Sequence, residues 1–350
     1  MTETATARRI VAVGELDLVS PGRRDYFVAL EHDSIWGSHL IPLTVIVGPQ
    51  AEDGKGLVVF GANHGNEYEG PIIIRHLLAE VDAPRVRGRL ILVPVLNPAA
   101  FRSGTRDSIG DDGANLNRAF VPAAGQPPLG TITYRVADFV RRVIWPHVHA
   151  VIDLHAGGDV ARFALCTSFH DVADTEQALA MQAVARLFGT PLVIAYQNET
   201  PGLLTSEAER LGKITIGTEL GWGGAVSAQG VRYGKHGVLA AAITLGQMSG
   251  TVEPIGHQRD GTQQMVAMID PACFTLAPVS GHYEPLLECG ATVAVGDPIG
   301  LVHDFERIDT PPWPALAGTD GVVIAQAWGA HVRQGQQVVV VGRKRPWVGA

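Results

Sequence analysis

Four side chains that can hold a metal ion or accept a proton stand at the ends of three apolar runs. His64 and Glu67 follow the run LVVF, His155 ends the run VIDLH, and Glu219 ends the run KITIGTE. Each run is typical of a buried strand, and ligands of open α/β sheets bind beyond the carboxyl ends of the strands. The spacing therefore predicts that two His and two Glu meet at one edge of a sheet.

A metal site is the chemistry that this set suits best. His64 and Glu67 form an H-x-x-E motif in a glycine-rich loop, and His155 comes from a separate strand. Two imidazoles and one carboxylate bind Zn²⁺ and leave a coordination position open for water. An isolated H-x-x-E is more often a surface pair, but the strand-end histidine favours a metal site. We expect one zinc ion per chain, held by these three residues.

Two more carboxylates are predicted to support this centre. Asp153 lies two residues before His155, so both side chains point to the same face of an extended strand. Asp153 could then hold a ligand imidazole through its second nitrogen; a strand-end Asp satisfied by backbone amides is the alternative. Glu219 could take a proton from a metal-activated water and pass it to a leaving amine. A capping or salt-bridged glutamate is the alternative there.

The connection from residue 97 to 120, NPAAFRSGTRDSIGDDGANLNRAF, is rich in polar groups. Asn117 offers a neutral donor beside the planar guanidinium of Arg118, a pair that suits a grip on a carboxylate. Arg106 could polarise a carbonyl and stabilise an oxyanion. A solvated loop is the alternative for any one of these arginines.

Strands and helices must alternate to position these groups. The sequence predicts strands at Tyr26–Leu30, Ile41–Val47, Leu57–Phe60, Arg89–Val95, Val151–Leu154, Leu192–Ala195 and Ile214–Thr218. It predicts helices at Pro71–Val81, Ile132–Trp145, Thr175–Phe188 and Val238–Met248. This alternation indicates an α/β fold with a mixed or mainly parallel sheet.

Three domains are expected: an N-terminal β-rich extension (residues 1–50), an α/β catalytic domain (51–251) and a smaller all-β domain (252–350). After residue 252 short strands alternate with glycine turns, as in biotinyl or lipoyl half-barrels. Those carriers present a lysine where this chain has DGV at 320–322. We interpret the domain as regulatory or shielding.

Composition and net charge limit the kinds of molecule that this protein can bind. The net charge of −8 argues against a nucleic-acid surface, which needs concentrated Lys and Arg. Three scattered cysteines do not suggest a disulfide framework, and no secretory signal or membrane span is visible. We expect a cytoplasmic protein that acts on a small molecule and has no nucleic-acid or membrane partner, and a homo-oligomer stays open.

The motifs GANHGNE, NPAAF…GTR…NLNRAF, DLH and GTELG, in this order, resemble the aspartoacylase and succinylglutamate desuccinylase branch of the zinc carboxypeptidase superfamily. The resemblance covers residues 55–250 and the C-terminal β-domain. It implies a zinc-carboxypeptidase-like mixed sheet flanked by helices, with a smaller C-terminal all-β domain. It also implies site roles: zinc ligands His64, Glu67 and His155, general base and acid Glu219, oxyanion stabiliser Arg106, and substrate-carboxylate ligands Asn117 and Arg118.

Within that branch, NHG-x-EYEGP and G-x-NLNR-x-F are most similar to N-acetyl-diaminobutyrate deacetylases. One departure concerns the substrate side chain. Relatives that act on dicarboxylates have an Arg near the position of Leu204 or Thr205, whereas this chain carries Glu207 and Glu209 nearby. This difference favours a substrate with a neutral or cationic side chain.

The sequence therefore predicts a zinc-dependent amidohydrolase that deacylates a small N-acyl amino acid, such as N2-acetyl-2,4-diaminobutyrate, through a metal-activated water. Three alternatives stay open. One is a zinc carboxypeptidase with the same metal site. Another is an aspartoacylase or succinylglutamate desuccinylase that acts on a dicarboxylic substrate. The third is a degenerate family member that only binds a ligand.

Overall fold

Strands and helices alternate through most of the chain. The computed structural model describes residues 9–31, 37–120, 130–197 and 200–348. Its first ten strands are β1 Ile10–Ala12, β2 Gly22–Glu31, β3 Ser38–Val47, β4 Gly56–Gly61, β5 Arg89–Val93, β6 Val148–Leu154, β7 Ala161–Phe163, β8 Cys166–His170, β9 Leu192–Tyr196 and β10 Ile214–Glu219. The others are β11 Gln264–Met268, β12 Phe274–Leu276, β13 Gly281–Pro285, β14 Thr292–Val293, β15 Pro298–His303, β16 Trp313–Leu316, β17 Gly321–Ala327, β18 His331–Val332 and β19 Gln337–Arg345.

The helices are α1 Glu69–Glu80, α2 Pro98–Ser103, α3 Ile132–Phe139, α4 Thr175–Arg186, α5 Leu204–Arg210, α6 Ala228–Thr244 and α7 Gly256–Arg259. The architecture is a large mixed sheet flanked by helices, with a small antiparallel sheet near the C-terminus, so the predicted α/β fold class is confirmed.

The chain folds into two compact units, each made of three segments that are not consecutive in sequence. The first comprises Met1–Leu154, Thr200–Thr215 and Val238–Val252, and the second comprises His155–Glu199, Ile216–Gly237 and Glu253–Ala350. The expected domains 1–50, 51–251 and 252–350 stay a prediction.

In the first unit, the strand order is β1-β2-β3-β5-β4-β6. β2, β3 and β5 pair antiparallel, while β4 lies parallel to both β5 and β6. Every residue of β4 and β5 is buried, as expected for strands that are covered on both faces. The parallel pair β4 and β6 therefore ends at one edge, where the loop after β4 begins.

In the second unit, the strand order is β10-β8-β9-β11-β19-β17-β14. β8, β9 and β11 are parallel neighbours, and β10 pairs antiparallel with β8. The nine-residue β19 lies between β11 and β17 and pairs antiparallel with both. A separate antiparallel sheet has the order β16-β15-β13-β18.

The structure differs from the predicted elements where the chain departs from regular patterns. The predicted helix Ile132–Trp145 is α-helical only to Phe139, then forms a π-helical turn at Val140–Ile144 and a 3₁₀ turn at Trp145–His147. Pro146 accounts for the end of the helical stretch at His147, because proline has no amide hydrogen to continue the helical hydrogen bonds.

Four helices and several short strands were missed or predicted only in part; one of the helices is α2, in the segment expected to be a polar connection. α6 begins ten residues before Val238, because three glycines between Ala228 and Val238 weaken the helical signal. α5 and the four-residue α7 lie where no helix was predicted. β7 and β8 are short strands in a region where no strand was predicted.

Candidate metal centre and active site

The loop after β4 presents the first two predicted metal ligands. His64 and Glu67 are each only 2% exposed, and Nδ1 of His64 lies 2.8 Å from Oε1 of Glu67. Gly65 lets this loop approach helix α2, because a Cβ there would lie 2.0 Å from the backbone carbonyl carbon of Ala100. The two side chains are therefore fixed on a buried turn.

His155, which directly follows β6, completes the set. One ligand atom each from His64, Glu67 and His155 lies within 4.8 Å of the others, and no other such group of three His, Cys, Asp or Glu occurs among the described residues. The His155 amide donates to Oγ1 of Thr218 at 2.9 Å. Two imidazole nitrogens and one carboxylate oxygen form a donor set that suits a divalent transition metal.

Asp153 lies in a fully buried position two residues before His155. Nδ2 of Asn63 donates to its Oδ2 at 3.0 Å. Sequence reasoning did not identify Asn63, although it stands next to His64 in the GANHGNE motif. The role of Asp153 in orienting an imidazole stays a prediction.

Arg106 lies in the loop after α2, and its side chain contacts the predicted metal ligand Glu67. Its Nη1 donates to Oε1 of Glu67 at 3.1 Å, and its side chain is partly exposed. The guanidinium charge thus compensates a buried carboxylate while one side of the group faces outward.

A hydrogen-bonded network that sequence reasoning missed holds the loop of Arg106. Nδ2 of Asn97 donates to Ser108 Oγ at 3.1 Å, Thr133 Oγ1 lies 3.1 Å from that oxygen, and Thr133 donates to Asp112 Oδ1 at 2.7 Å. Burial raises the pKa of Asp112, but hydrogen bonds from the Thr133 amide and hydroxyl outweigh it and lower the pKa overall. The hydrogen-bonded partners are 11 to 25 positions apart in sequence, so no local motif marks them.

Asn117 and Arg118 lie in the 3₁₀ turn Leu116–Arg118. The Leu204 amide donates to Oδ1 of Asn117 at 2.9 Å, which fixes the orientation of the Asn117 amide. Arg118 is exposed, and burial of part of its side chain lowers its pKa, as does the positive charge of nearby Arg106. Two neighbouring guanidinium groups favour an anion between or beside them.

Glu219 is the last residue of β10, opposite Cys166 in β8. Burial raises the pKa of the Cys166 thiol well above its usual value, and the negative charge of Glu219 raises it further. The pKa of Tyr196 is raised by the same two causes in the same order. Both groups therefore stay protonated beside Glu219.

Glu207 does not act as the sequence interpretation supposed. It lies in α5, is 8% exposed, and accepts hydrogen bonds from Arg141 Nε at 2.6 Å and Trp145 Nε1 at 3.1 Å. Glu209 is also buried. The negative charge of Glu207 is compensated inside the protein by Arg141. Glu207 therefore gives no reason for the site to repel a second substrate carboxylate.

The fold and the site match one family of hydrolases. Residues 53–245 match the Succinylglutamate desuccinylase/Aspartoacylase catalytic domain. The chain belongs to this family and is an amide-hydrolysing enzyme. No helix among the described residues is long and apolar enough to cross a membrane.

Among its relatives, the chain is 32% identical over 310 residues to the N-alpha-acetyl-L-2,4-diaminobutyric acid deacetylase of Halomonas elongata, covering 88% of this chain and 87% of the relative. The product-bound ectoine utilization protein EutE (DoeB) of Ruegeria pomeroyi is similar in structure, with a TM-score of 0.84, 33% identity, and coverage of 94% of this chain and 98% of that one. A succinylglutamate desuccinylase/aspartoacylase from Rhodobacter sphaeroides has a TM-score of 0.85 at 31% identity, with coverage of 95% and 98%.

Proposed function

We propose that this protein is a zinc-dependent deacylase of small N-acyl amino acids, with N2-acetyl-2,4-diaminobutyrate as its substrate. The observation that carries the proposal is the 32% identity over 88% of the chain to a deacetylase named for that substrate. The set of His64, Glu67 and His155 supports the zinc requirement, since its two nitrogens and one oxygen are the donors of hydrolytic zinc sites.

A zinc ion held by these residues supplies a water of lowered pKa and a Lewis acid for the acyl carbonyl. Glu219 removes a proton from the attacking water, whose oxygen bonds to the acyl carbon. Glu219 then gives that proton to the amine nitrogen as the C–N bond breaks, so acetate and the free amino acid leave.

Three other side chains bind the substrate in this scheme. Arg106 donates to the oxygen that becomes negative when the acyl carbon is attacked. Asn117 and Arg118 hold the free carboxylate of the amino acid. The contact of Arg106 with Glu67 at 3.1 Å supports its role, because it keeps the guanidinium beside the proposed metal ligands.

We further infer that the enzyme works in the cytoplasm. Cys166, Cys273 and Cys289 are all free thiols, as is usual in a reducing compartment. A homo-oligomer is compatible with this function, and the boundaries at residues 51 and 252 remain our proposal for the catalytic domain.

The deciding experiment compares kcat/KM of the zinc-loaded enzyme for N2-acetyl-2,4-diaminobutyrate, N-acetylaspartate, N-succinylglutamate and a panel of dipeptides at one salt concentration. We expect the first compound to be preferred. A preference for either dicarboxylate would indicate an aspartoacylase or desuccinylase, and a preference for dipeptides would indicate a carboxypeptidase. Absence of hydrolysis with bound substrate would indicate a binding protein.

A further inference from the structure

We propose that Arg141 and Glu207 are positioning residues for the substrate carboxylate. They hold helix α5 against the turn that contains Asn117 and Arg118, and so keep that turn in the geometry that the carboxylate requires. The inference rests on the proposed function, because it takes Asn117 and Arg118 as the carboxylate ligands.

The side chain of Glu207 links α5 to two residues that follow α3. Its Oε1 accepts from Arg141 Nε at 2.6 Å and its Oε2 accepts from Trp145 Nε1 at 3.1 Å. Both carboxylate oxygens are thus used by fixed donors. Replacement of a buried ion pair by apolar residues is often neutral or stabilising, so stability alone gives little reason for this arrangement.

Arg141 makes a second contact that reaches the proposed carboxylate site. Its Nη2 donates to the backbone oxygen of Ala119 at 3.2 Å, and its guanidinium lies 5.8 Å from the centre of the Phe120 ring. One planar guanidinium therefore binds α5 and the residue after Arg118 together, which the single ammonium of lysine does not reproduce. Arg141 lies in the π-helical turn, and such turns are frequent at functional sites.

The first residue of α5 and the segment just before it also contact the turn that contains Asn117 and Arg118. The Leu204 amide donates to Asn117 Oδ1 at 2.9 Å, and the Phe120 amide donates to the Gly202 oxygen at 3.1 Å. A Cβ on Gly202 would lie 2.8 Å from the backbone oxygen of Arg118. Residues on both sides of Arg118 are therefore in contact with the segment that begins α5.

These contacts restrain the residues on both sides of the exposed guanidinium of Arg118. Within the described residues, the hydrogen bond of Arg118 is to its own neighbour, the backbone oxygen of Asn117, at 2.7 Å. Its position thus depends on the backbone of the turn. If α5 moves, the Leu204 amide no longer orients Asn117, and the carboxylate loses both donors at once.

The test uses the double variant Arg141→Met, Glu207→Gln. This change leaves no unpaired buried charge, and the glutamine oxygen can still accept from Trp145. Arg142→Met is the matched control, because Arg142 is 68% exposed in the same helical region and pairs at 2.8 Å with Asp138. Steady-state kinetics are measured for N2-acetyl-2,4-diaminobutyrate and for its carboxamide analogue, which lacks the carboxylate charge.

We expect the double variant to lower the free-acid to carboxamide ratio of kcat/KM by about tenfold or more, mainly through KM, as a misplaced binding group does. Arg142→Met should leave the ratio unchanged. If the double variant is insoluble, Glu207→Gln alone, which keeps the shape of the side chain, should shift the ratio in the same direction.

An unchanged ratio with kcat reduced equally on both compounds would overturn the inference, since a purely structural pair lowers only the amount of active enzyme. That result would leave the proposed function intact. A wild-type enzyme that hydrolyses the N-acetyl amino acid without preference for the free acid would overturn the carboxylate assignment itself, and the inference with it.

Discussion

Single residues at the centre of this site have neighbours that restrain them. Asn63 donates to Asp153, Arg106 donates to Glu67, and Thr218 accepts from the His155 amide. Restraint of this kind lowers the cost of assembling a metal site or an oxyanion site, because the groups need little reorganisation. Single substitutions can test the proposed role of each side chain separately.

Replacement of His155 by Ala should remove the metal and the activity together, because a carboxylate and one imidazole are a poor site for zinc. The measurement is elemental analysis of the purified variant beside the wild type, which should contain one zinc ion per chain. Stoichiometric zinc in the variant would contradict the ligand assignment.

Replacement of Glu219 by Gln should keep zinc but reduce kcat by roughly 10²–10⁴-fold, the usual contribution of a positioned general acid or base. The amide is similar in shape and cannot carry the proton. Zinc content and kcat are measured on the same preparation, and a variant with near-normal kcat would give Glu219 a structural role instead.

Replacement of Arg118 by Ala should weaken turnover of the free-acid substrate by about 1.5–3 kcal/mol, which is roughly 10- to 150-fold in kcat/KM. The loss should be small for the carboxamide analogue, because its neutral group forms no charge-assisted hydrogen bond. Equal losses on the two compounds would refute the pairing of Arg118 with the carboxylate.

The sequence was a good guide to residues in compact motifs. His64 and Glu67 share one turn, and His155 follows a strand that was predicted from its apolar run. Reasoning about strand ends could therefore predict that these three side chains lie together, as they do within 4.8 Å, while their role as metal ligands stays a prediction. The partners of Glu207 could not be found this way. Arg141 is 66 positions away and Trp145 is 62, and nothing in either local sequence indicates a buried ion pair.

At the scale of elements, helix α5 changes the interpretation of the segment before β10. No helix is predicted from Thr200 to Lys213, and Glu207 and Glu209 in this segment favoured a substrate with a neutral or cationic side chain. The structure has a seven-residue helix there with Glu207 and Glu209 buried. Short helices of this kind depend on tertiary contacts, so propensity alone does not reveal them.

Two glycines beside α5 provide a matched test of its placement. Gly202 and Gly212 both have positive φ, +93° and +74°, but only a Cβ on Gly202 would meet the backbone of Arg118. Either change to Ala should cost about 1–3 kcal/mol of stability through backbone strain. Thermal unfolding measures this cost.

Only Gly202→Ala should also raise KM for the free-acid substrate, because the added methyl group displaces the turn that contains Asn117 and Arg118. Gly212→Ala serves as the control for strain without displacement. The same KM increase in both variants would show that strain, and not the contact with Arg118, causes the effect.

At the scale of the whole molecule, both compact units are assembled from separate stretches of chain. The sequence predicted the change to short strands after residue 252. It gave no sign that residues from three segments join in each unit, because that depends on contacts between distant strands. Periodicity reports local structure and burial, whereas strand order is a property of the folded chain.

Deletion of residues 337–350 should prevent the second unit from folding, since it removes β19 from between β11 and β17. Deletion of residues 347–350 removes the contact of Trp347 with Arg186 and the hydrogen bonds of Val348 with Gln182, and should cost only some stability. Soluble yield and circular dichroism of the two truncated proteins distinguish these outcomes. A folded, active protein after the larger deletion would contradict the expectation.

The position of β19 also affects synthesis in the cell. A ribosome makes residue 337 well after Met268, the end of β11, roughly 3–14 s later at ~5–20 residues per second. During that interval β11 lacks its β19 neighbour, and β17 lacks it as well once residue 327 has been made; such unpaired strand edges readily pair with other chains. Yield of the folded enzyme should therefore respond to translation speed over the last 80 or so codons and to chaperone supply.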